Sequence, residues 1–213
     1  MWKLVFDPQP LLPLVSDSGV CAPESFLFTL LGSLLAMLMS LISCRLYAVT
    51  PRGWLSALSL ALGLACSAGQ LTLAWCAEAG PRRNAHFVGA YVAFGCGLAF
   101  IGLRTLLTPA GLNRLRLFRV VLFGIGGLSV VACLVGDWLV PSGAWSARLE
   151  LVATCDASAM ETFRLSESGR MCTVFTVAEW IASLSSVVFY ATFSAELGGW
   201  PRFGQRNLDK PAS

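Results

Sequence analysis

Glu179, His86 and Gln70 offer the most chemistry in this 213-residue chain, because each lies inside or at the mouth of a long apolar stretch. Ionisable groups at membrane depth are costly, so each such group is a functional candidate. On a helix of 3.6 residues per turn, Thr176, Glu179, Ser183, Ser186 and Tyr190 fall on one face. Val174, Ala178, Ile181, Val188 and Ala195 fall opposite. That polar stripe is expected to face other helices rather than lipid. Glu179 sits roughly 10 Å in from the end of its stretch, at about 1.5 Å per residue. Gln70 and His86 fall at similar depth, so the three are expected to form one polar cluster in the outer half of a helical bundle. Two chemistries suit it: hydrogen bonding between helices that holds the bundle together, or a pH-sensing or ligand-coordinating site. A reaction centre has less support. A single histidine cannot build a multi-histidine metal site. The chain has neither a Gly-x-Ser-x-Gly elbow nor a glycine-rich phosphate loop with lysine. A non-enzymatic protein with no cofactor and no resident metal is expected.

The elements that would position these groups are apolar runs of bilayer length. They cover about 26–47, 54–76, 85–107, 117–140 and 173–196, and about 20 mostly apolar residues suffice to cross the hydrocarbon core. Apolar residues make up 56 % of the chain, charged residues 13 %, and the mean hydropathy is +0.70. Soluble domains carry about twice that charged fraction. The fold class is therefore all-α: a polytopic transmembrane bundle of five spanning helices over residues 26–197. A leader precedes it at 1–25, a long loop joins the last two spans at 141–172, and a disordered tail follows at 198–213. Pro8, Pro10 and Pro13 interrupt the leader, which is expected to be extended rather than a further span. The lipid bilayer is the first partner. A net charge of +3 without a basic run argues against nucleic acid.

Charge sets the expected orientation. Arg45, Arg52, Arg104, Arg114, Arg116, Arg119, Arg202, Arg206 and Lys210 fall on one side, against Glu196 and Asp209. The other side carries nine carboxylates and only Lys3, Arg82, Arg83, Arg148, Arg164 and Arg170 as bases. The positive-inside rule then gives a lumenal N-terminus and a cytoplasmic C-terminus. Arg114, Arg116 and Arg119 would form a basic surface beside anionic lipid, worth about 1 kcal/mol each. Cys21, Cys76, Cys155 and Cys172 fall on the lumenal side, where disulfides persist. Cys155–Cys172 is the first expectation, as a clip on the long loop. Three complete pairings of the four are possible, and the sequence does not choose. Ala85, Gly89, Ala93 and Gly97 make a small-residue ladder, either a seam within the bundle or a contact between copies through Gly89, Ala93 and Gly97.

Three short motifs run in order along the chain. The first is Ser16-Asp17-Ser18-Gly19, followed by Ala22-Pro23-Glu24 and Phe26-Leu27-Phe28. The second is His86 with Gly89-Ala90 and Phe94-Gly95, preceded by Gln70. The third is Ala178-Glu179-Trp180. Together they resemble the DRAM (damage-regulated autophagy modulator) family, within a wider group of FRAG and SFK proteins. The resemblance implies a multi-pass regulator of autophagy in the lysosomal or endosomal membrane, with the plasma membrane or Golgi/ER as alternatives. It also implies a possible membrane-protein or lipid-kinase partner, since the wider group includes factors in phosphoinositide kinase recruitment and in GPI-lipid remodelling. The family has six spans. This chain begins in what would be the first lumenal loop, so five of the six are expected here. Ala68-Gly69 also stands where the family has asparagine-phenylalanine.

Overall fold

Apolar runs cannot leave backbone groups unpaired in lipid, so they close their hydrogen bonds within helices. The computed structural model describes residues 15–139, 142–156, 158, 162, 167–194 and 197. A 3-10 turn at Ser16–Gly19 leads into α1 (Glu24–Val49), α2 (Trp54–Trp75) and α3 (Arg83–Leu106). A short 3-10 turn at Ala110–Leu112 follows, then α4 (Asn113–Leu139), α5 (Ser142–Thr154) and α6 (Glu167–Ala191). The protein is thus an all-α helical bundle, with no strand among the described residues. α1 to α4 are each long and apolar enough to cross a membrane. α6 contributes a shorter apolar stretch, Phe175–Ala191. The tail at 198–213 lies outside the described residues.

Successive long helices pack antiparallel, as close approaches at glycines show. Gly32 of α1 meets Ala74, and Gly63 of α2 meets Ser43. Gly69 of α2 meets Gly89 and Ala93 of α3, whereas Gly97 meets Cys66. Gly102 of α3 meets Phe123 of α4, and Gly136 of α4 meets Phe175 of α6. One end of the bundle therefore gathers the start of α1, the end of α2, the start of α3, the end of α4 and the start of α6. Residues 15–22 and α5 cover that end, called the leader end below.

The small-residue ladder on α3 is spent inside the chain. Gly89, Ala93 and Gly97 face α2, so close that a Cβ on Gly69 would lie 2.5 Å from the Ala93 amide nitrogen. Of the two readings of the ladder, a seam within the bundle or a contact between copies, the described chain uses it as the seam, with α2 seated on it. Between apolar helices in lipid, such tight backbone approach supplies the dispersion contact that burial from water cannot. Elsewhere large apolar side chains such as Phe26, Leu31 and Leu128 point outward, as lipid-facing surfaces require.

At the far end the core is aromatic. Phe100 stacks on Tyr190 at 5.5 Å, and Phe189 meets Phe193 edge-on at 5.2 Å. Arg119 is wholly buried there, its guanidinium 4.5 Å from the Phe193 ring centre. Its Nε donates to Thr192 Oγ1 (2.8 Å) and its Nη1 to Thr108 Oγ1 (3.0 Å). The expected basic trio is thus split: Arg114 and Arg116 are exposed, and Arg119 is a structural cation of the core.

Two further departures from the sequence reading concern the leader end. Residues expected in an open loop after position 141 form α5, and α6 starts at Glu167 rather than 173. Leu149 and Val152 are buried on one side of α5, with Glu150 exposed. That one-sided burial is what stabilises a 13-residue helix too short to persist alone in water. Of the leader, expected to be extended, residues 1–14 with their three prolines lie outside the described residues, whereas Ser16–Gly19 form a compact turn and α1 already begins at Glu24.

Candidate functional site

The site is the docking of this turn into the mouth of the bundle. Ser18 Oγ donates to Val15 O at 2.6 Å and closes the turn. Gly19 packs against the Phe28 ring, where a Cβ would sit 2.9 Å from Cδ1. Glu24 is the first residue of α1, with Pro23 just before it. The backbone amide of Val15 donates to Glu179 Oε2 of α6 at 2.9 Å. Ser16, itself buried, lies beside Glu78 at the mouth of the bundle. Trp180, beside Glu179, is half-buried.

Arg148 of α5 ties these pieces together. It is 2 % exposed, and so is Glu78, in the connection between α2 and α3. Arg148 Nη1 donates to Glu78 Oε1 at 2.8 Å, and Nη2 donates to Asp17 Oδ1 of the turn. Burial alone would push the Glu78 carboxyl up. The charge and hydrogen bonds of Arg148 outweigh it, with help from Ser16, and hold Glu78 below the ordinary glutamate range. Burial would likewise lower Arg148, but Glu78 and Asp17 reverse this and keep the guanidinium charged. A carboxyl depressed in the folded state stabilises fully above its unfolded pKa and loses that contribution as pH falls through its folded value. The stability gap between wild type and Glu78→Gln is therefore expected to be equal at pH 7 and pH 5, and to shrink only below about pH 4. Thermal unfolding of both proteins across that range checks this, and a gap already lost at pH 5 would contradict it.

A disulfide completes the dock, and it is not the expected one. Cys21 pairs with Cys155, 134 residues away, whereas Cys172 is free and buried. The local clip fails because Cys172 lies inside α6, facing the core. Cys155 instead ends the α5 region, beside the docked leader. Peptide mapping without reduction is expected to recover a fragment joining Cys21 to Cys155. A Cys155–Cys172 fragment would refute this arrangement.

The proposed polar cluster is divided. His86 (4 % exposed) and Glu179 line one cavity of about 160 Å³ between α3, α4 and α6, with Ser16 and Glu78 at its polar end. His86 Nδ1–H donates to Cys76 O at 2.6 Å. Gln70 lies on the other side of the turn, in a separate pocket with Val15, Ser18, Glu24 and Phe28. Its depth was legible, but its direction around α2 was not. The stripe on α6 is also rotated from expectation. Thr176 and Tyr190 are buried, yet Ser183 and Ser186 are only half-buried, and the buried face centres on Ala178, Ala182, Ser185 and Phe189. Thr176 Oγ1 and Ser186 Oγ satisfy themselves on their own helix, at Cys172 O and Ala182 O (both 3.0 Å).

Glu78, Arg148 and Cys21 carry the site, and sequence reasoning counted the two charged residues only as loop charges. The apolar pair Leu149 and Val152 beside Arg148 was the available signal that α5 is a helix with a buried side. Among the described residues no group of His, Cys, Asp and Glu is arranged to hold a metal ion.

The first motif thus supplies the turn, Asp17 and Ser16; the second supplies His86; the third supplies Glu179. All three meet at one place. Residues 2–199 match the Frag1/DRAM/Sfk1/Cwh43P N-terminal domain. The chain is 29 % identical over 191 residues to Transmembrane protein 150A of Xenopus laevis, and equally so to those of Homo sapiens and Mus musculus. Each match covers 88 % of this chain and 62 % of the relative, so the chain spans under two thirds of the length of these proteins. No solved structure matches it. The chain belongs to the Frag1/DRAM/Sfk1/Cwh43P N-terminal domain family of multi-pass membrane proteins.

Proposed function

We propose that this chain is a non-enzymatic regulator of the DRAM type, acting on autophagy or endolysosomal membranes from the lysosomal or endosomal membrane. In this reading the bundle crosses the bilayer five times, with the leader end lumenal. It works as a scaffold, holding the opposite, basic end in a fixed geometry toward a membrane-protein partner. The observation that carries the reading is how the buried charges of the leader end are used. Arg148 of α5 donates to Glu78 of the α2–α3 connection and to Asp17 of the leader turn, and Glu179 accepts from a backbone amide. Charges spent in this way fasten elements together; they are not poised on a substrate. The test is tagged expression and deletion in cultured cells, with protease protection for topology and flux assays for autophagy. Overexpression is expected to change autophagosome number and deletion to do the converse. No change in either direction would remove the reading.

A second reading is an adaptor for phosphoinositide synthesis or lipid remodelling at the plasma membrane or Golgi/ER. Exposed Arg114 and Arg116 at the start of α4 favour it, as cations able to meet anionic headgroups. Unchanged lipid profiles in deletion cells would count against it.

A further inference from the structure

The docked leader does not use every polar atom at the bundle mouth. His86 donates its Nδ1–H to the Cys76 carbonyl, so in the neutral imidazole Nε2 is an acceptor. No hydrogen bond reaches Nε2 among the described residues, although the side chain is almost wholly buried and lines the cavity. Glu179 takes the Val15 amide on Oε2, and Oε1 likewise receives no hydrogen bond among the described residues. Two acceptors thus stand at the polar end of one cavity. Carboxylates prevail around it: Glu78, Asp17 and Glu179 against Arg148, whose guanidinium bonds the first two. The remaining wall is apolar and aromatic, with Phe94, Phe175 and Leu134 among its members. Arg83 adds a second cation nearby, its guanidinium lying 5.5 Å from the ring centre of Phe87, which lines the cavity, and leaves three carboxylates against two cations.

The cavity also has a way in from the side. Tyr91 of α3 and Leu134 of α4 both line it, and both are about half exposed on the outer surface (54 % and 49 %). Its volume of about 160 Å³ far exceeds the roughly 10–15 Å³ that a single water needs. A polar end with unfilled acceptors, an apolar body and a mouth between two spanning helices describe a site for an amphiphile drawn from the bilayer.

We propose that this cavity binds a single-chain amphiphile by its primary ammonium head, with the head between His86 and Glu179 and the chain leaving between α3 and α4. An ammonium carries three donors and no acceptor, which complements two acceptors. It also gains from the aromatic wall, since ring faces attract cations. An alcohol brings one donor and no charge. A fatty acid or phosphate brings negative charge to a place where carboxylates already prevail, and is rejected. The site is independent of the regulatory reading above: a bound amine would stand whether or not autophagy responds to the protein.

The test uses the full chain in phosphatidylcholine nanodiscs and dodecylamine carrying a diazirine on its chain. Illumination is expected to label α3 and α4 peptides around Phe94 and Leu134. Unlabelled dodecylamine should compete about tenfold better than dodecanol or dodecanoate at the same bilayer fraction. His86→Asn keeps a donor toward the Cys76 carbonyl and removes Nε2. Gly95→Leu fills the cavity from α3, at a position where an added Cβ meets nothing within 4 Å. Each variant, with the Cys21–Cys155 link verified as a sign of folding, is expected to lose labelling at these peptides by about tenfold. Equal competition by dodecanol or dodecanoate would overturn the ammonium assignment. Undiminished labelling in Gly95→Leu, or label spread evenly along the outer face of α1, would overturn the site.

Discussion

Arg148→Met is expected to cost about 3–5 kcal/mol of stability and to release the leader from the bundle, the usual penalty for removing one partner of a buried ion pair. Methionine fills much the same space, so the loss reports charge rather than volume. Glu78 and Asp17 would be left facing each other in a buried site without their common cation. The turn at Ser16–Gly19 would lose its tie to α5 and rest on the Phe28 packing, the neighbouring Val15–Glu179 hydrogen bond and the Cys21 disulfide. The double variant Arg148→Met with Glu78→Gln should recover part of the loss, because the orphaned charge goes with it. Thermal unfolding in lipid nanodiscs measures both. A single variant as stable as wild type would mean that the network stabilises nothing.

The second large effect is expected from Gly69→Val, at about 3 kcal/mol, near the upper end of ordinary overpacking. Its Cβ would stand 2.5 Å from Ala93 N and 2.8 Å from Gly89 O. Both are backbone atoms, so no side chain can rotate away, and α2 and α3 must separate along their whole seam. Gly124→Ala is the control: nothing lies within 4 Å of an added Cβ there, and alanine favours a helix by roughly 0.5–1 kcal/mol over glycine. The same unfolding measurement should separate the two variants clearly. Equal stability would show that the α2–α3 seam is not as tight as described.

The long helices were legible because the bilayer imposes a length and a composition at once. α2 begins at Trp54 as read, and α3 and α4 start within a few residues of the expected positions. The docked turn was visible only as a motif, since nothing local shows what Asp17 will meet. Arg148 lies 131 residues from Asp17 and 70 from Glu78, and such pairings have no local signature. Counted as loop charges, those residues entered only the orientation argument, which is blind to contact. The cysteine choice erred for a related reason: sequence nearness favoured Cys155–Cys172, whereas the fold carries Cys155 to the leader and Cys172 into the core. Gln70 shows the limit of depth arguments. Matching depth placed it level with His86 and Glu179, but rotation about α2 sent it to the other side of the turn.

The docked leader is the centre of this account, and amide hydrogen exchange on the full chain in nanodiscs tests it most directly. Peptides covering residues 15–28 are expected to be protected well beyond an unstructured chain, with the Val15 amide losing its protection in Glu179→Ala. Exchange of residues 15–22 at the rate of a free peptide, while α1 to α4 remain protected, would contradict it.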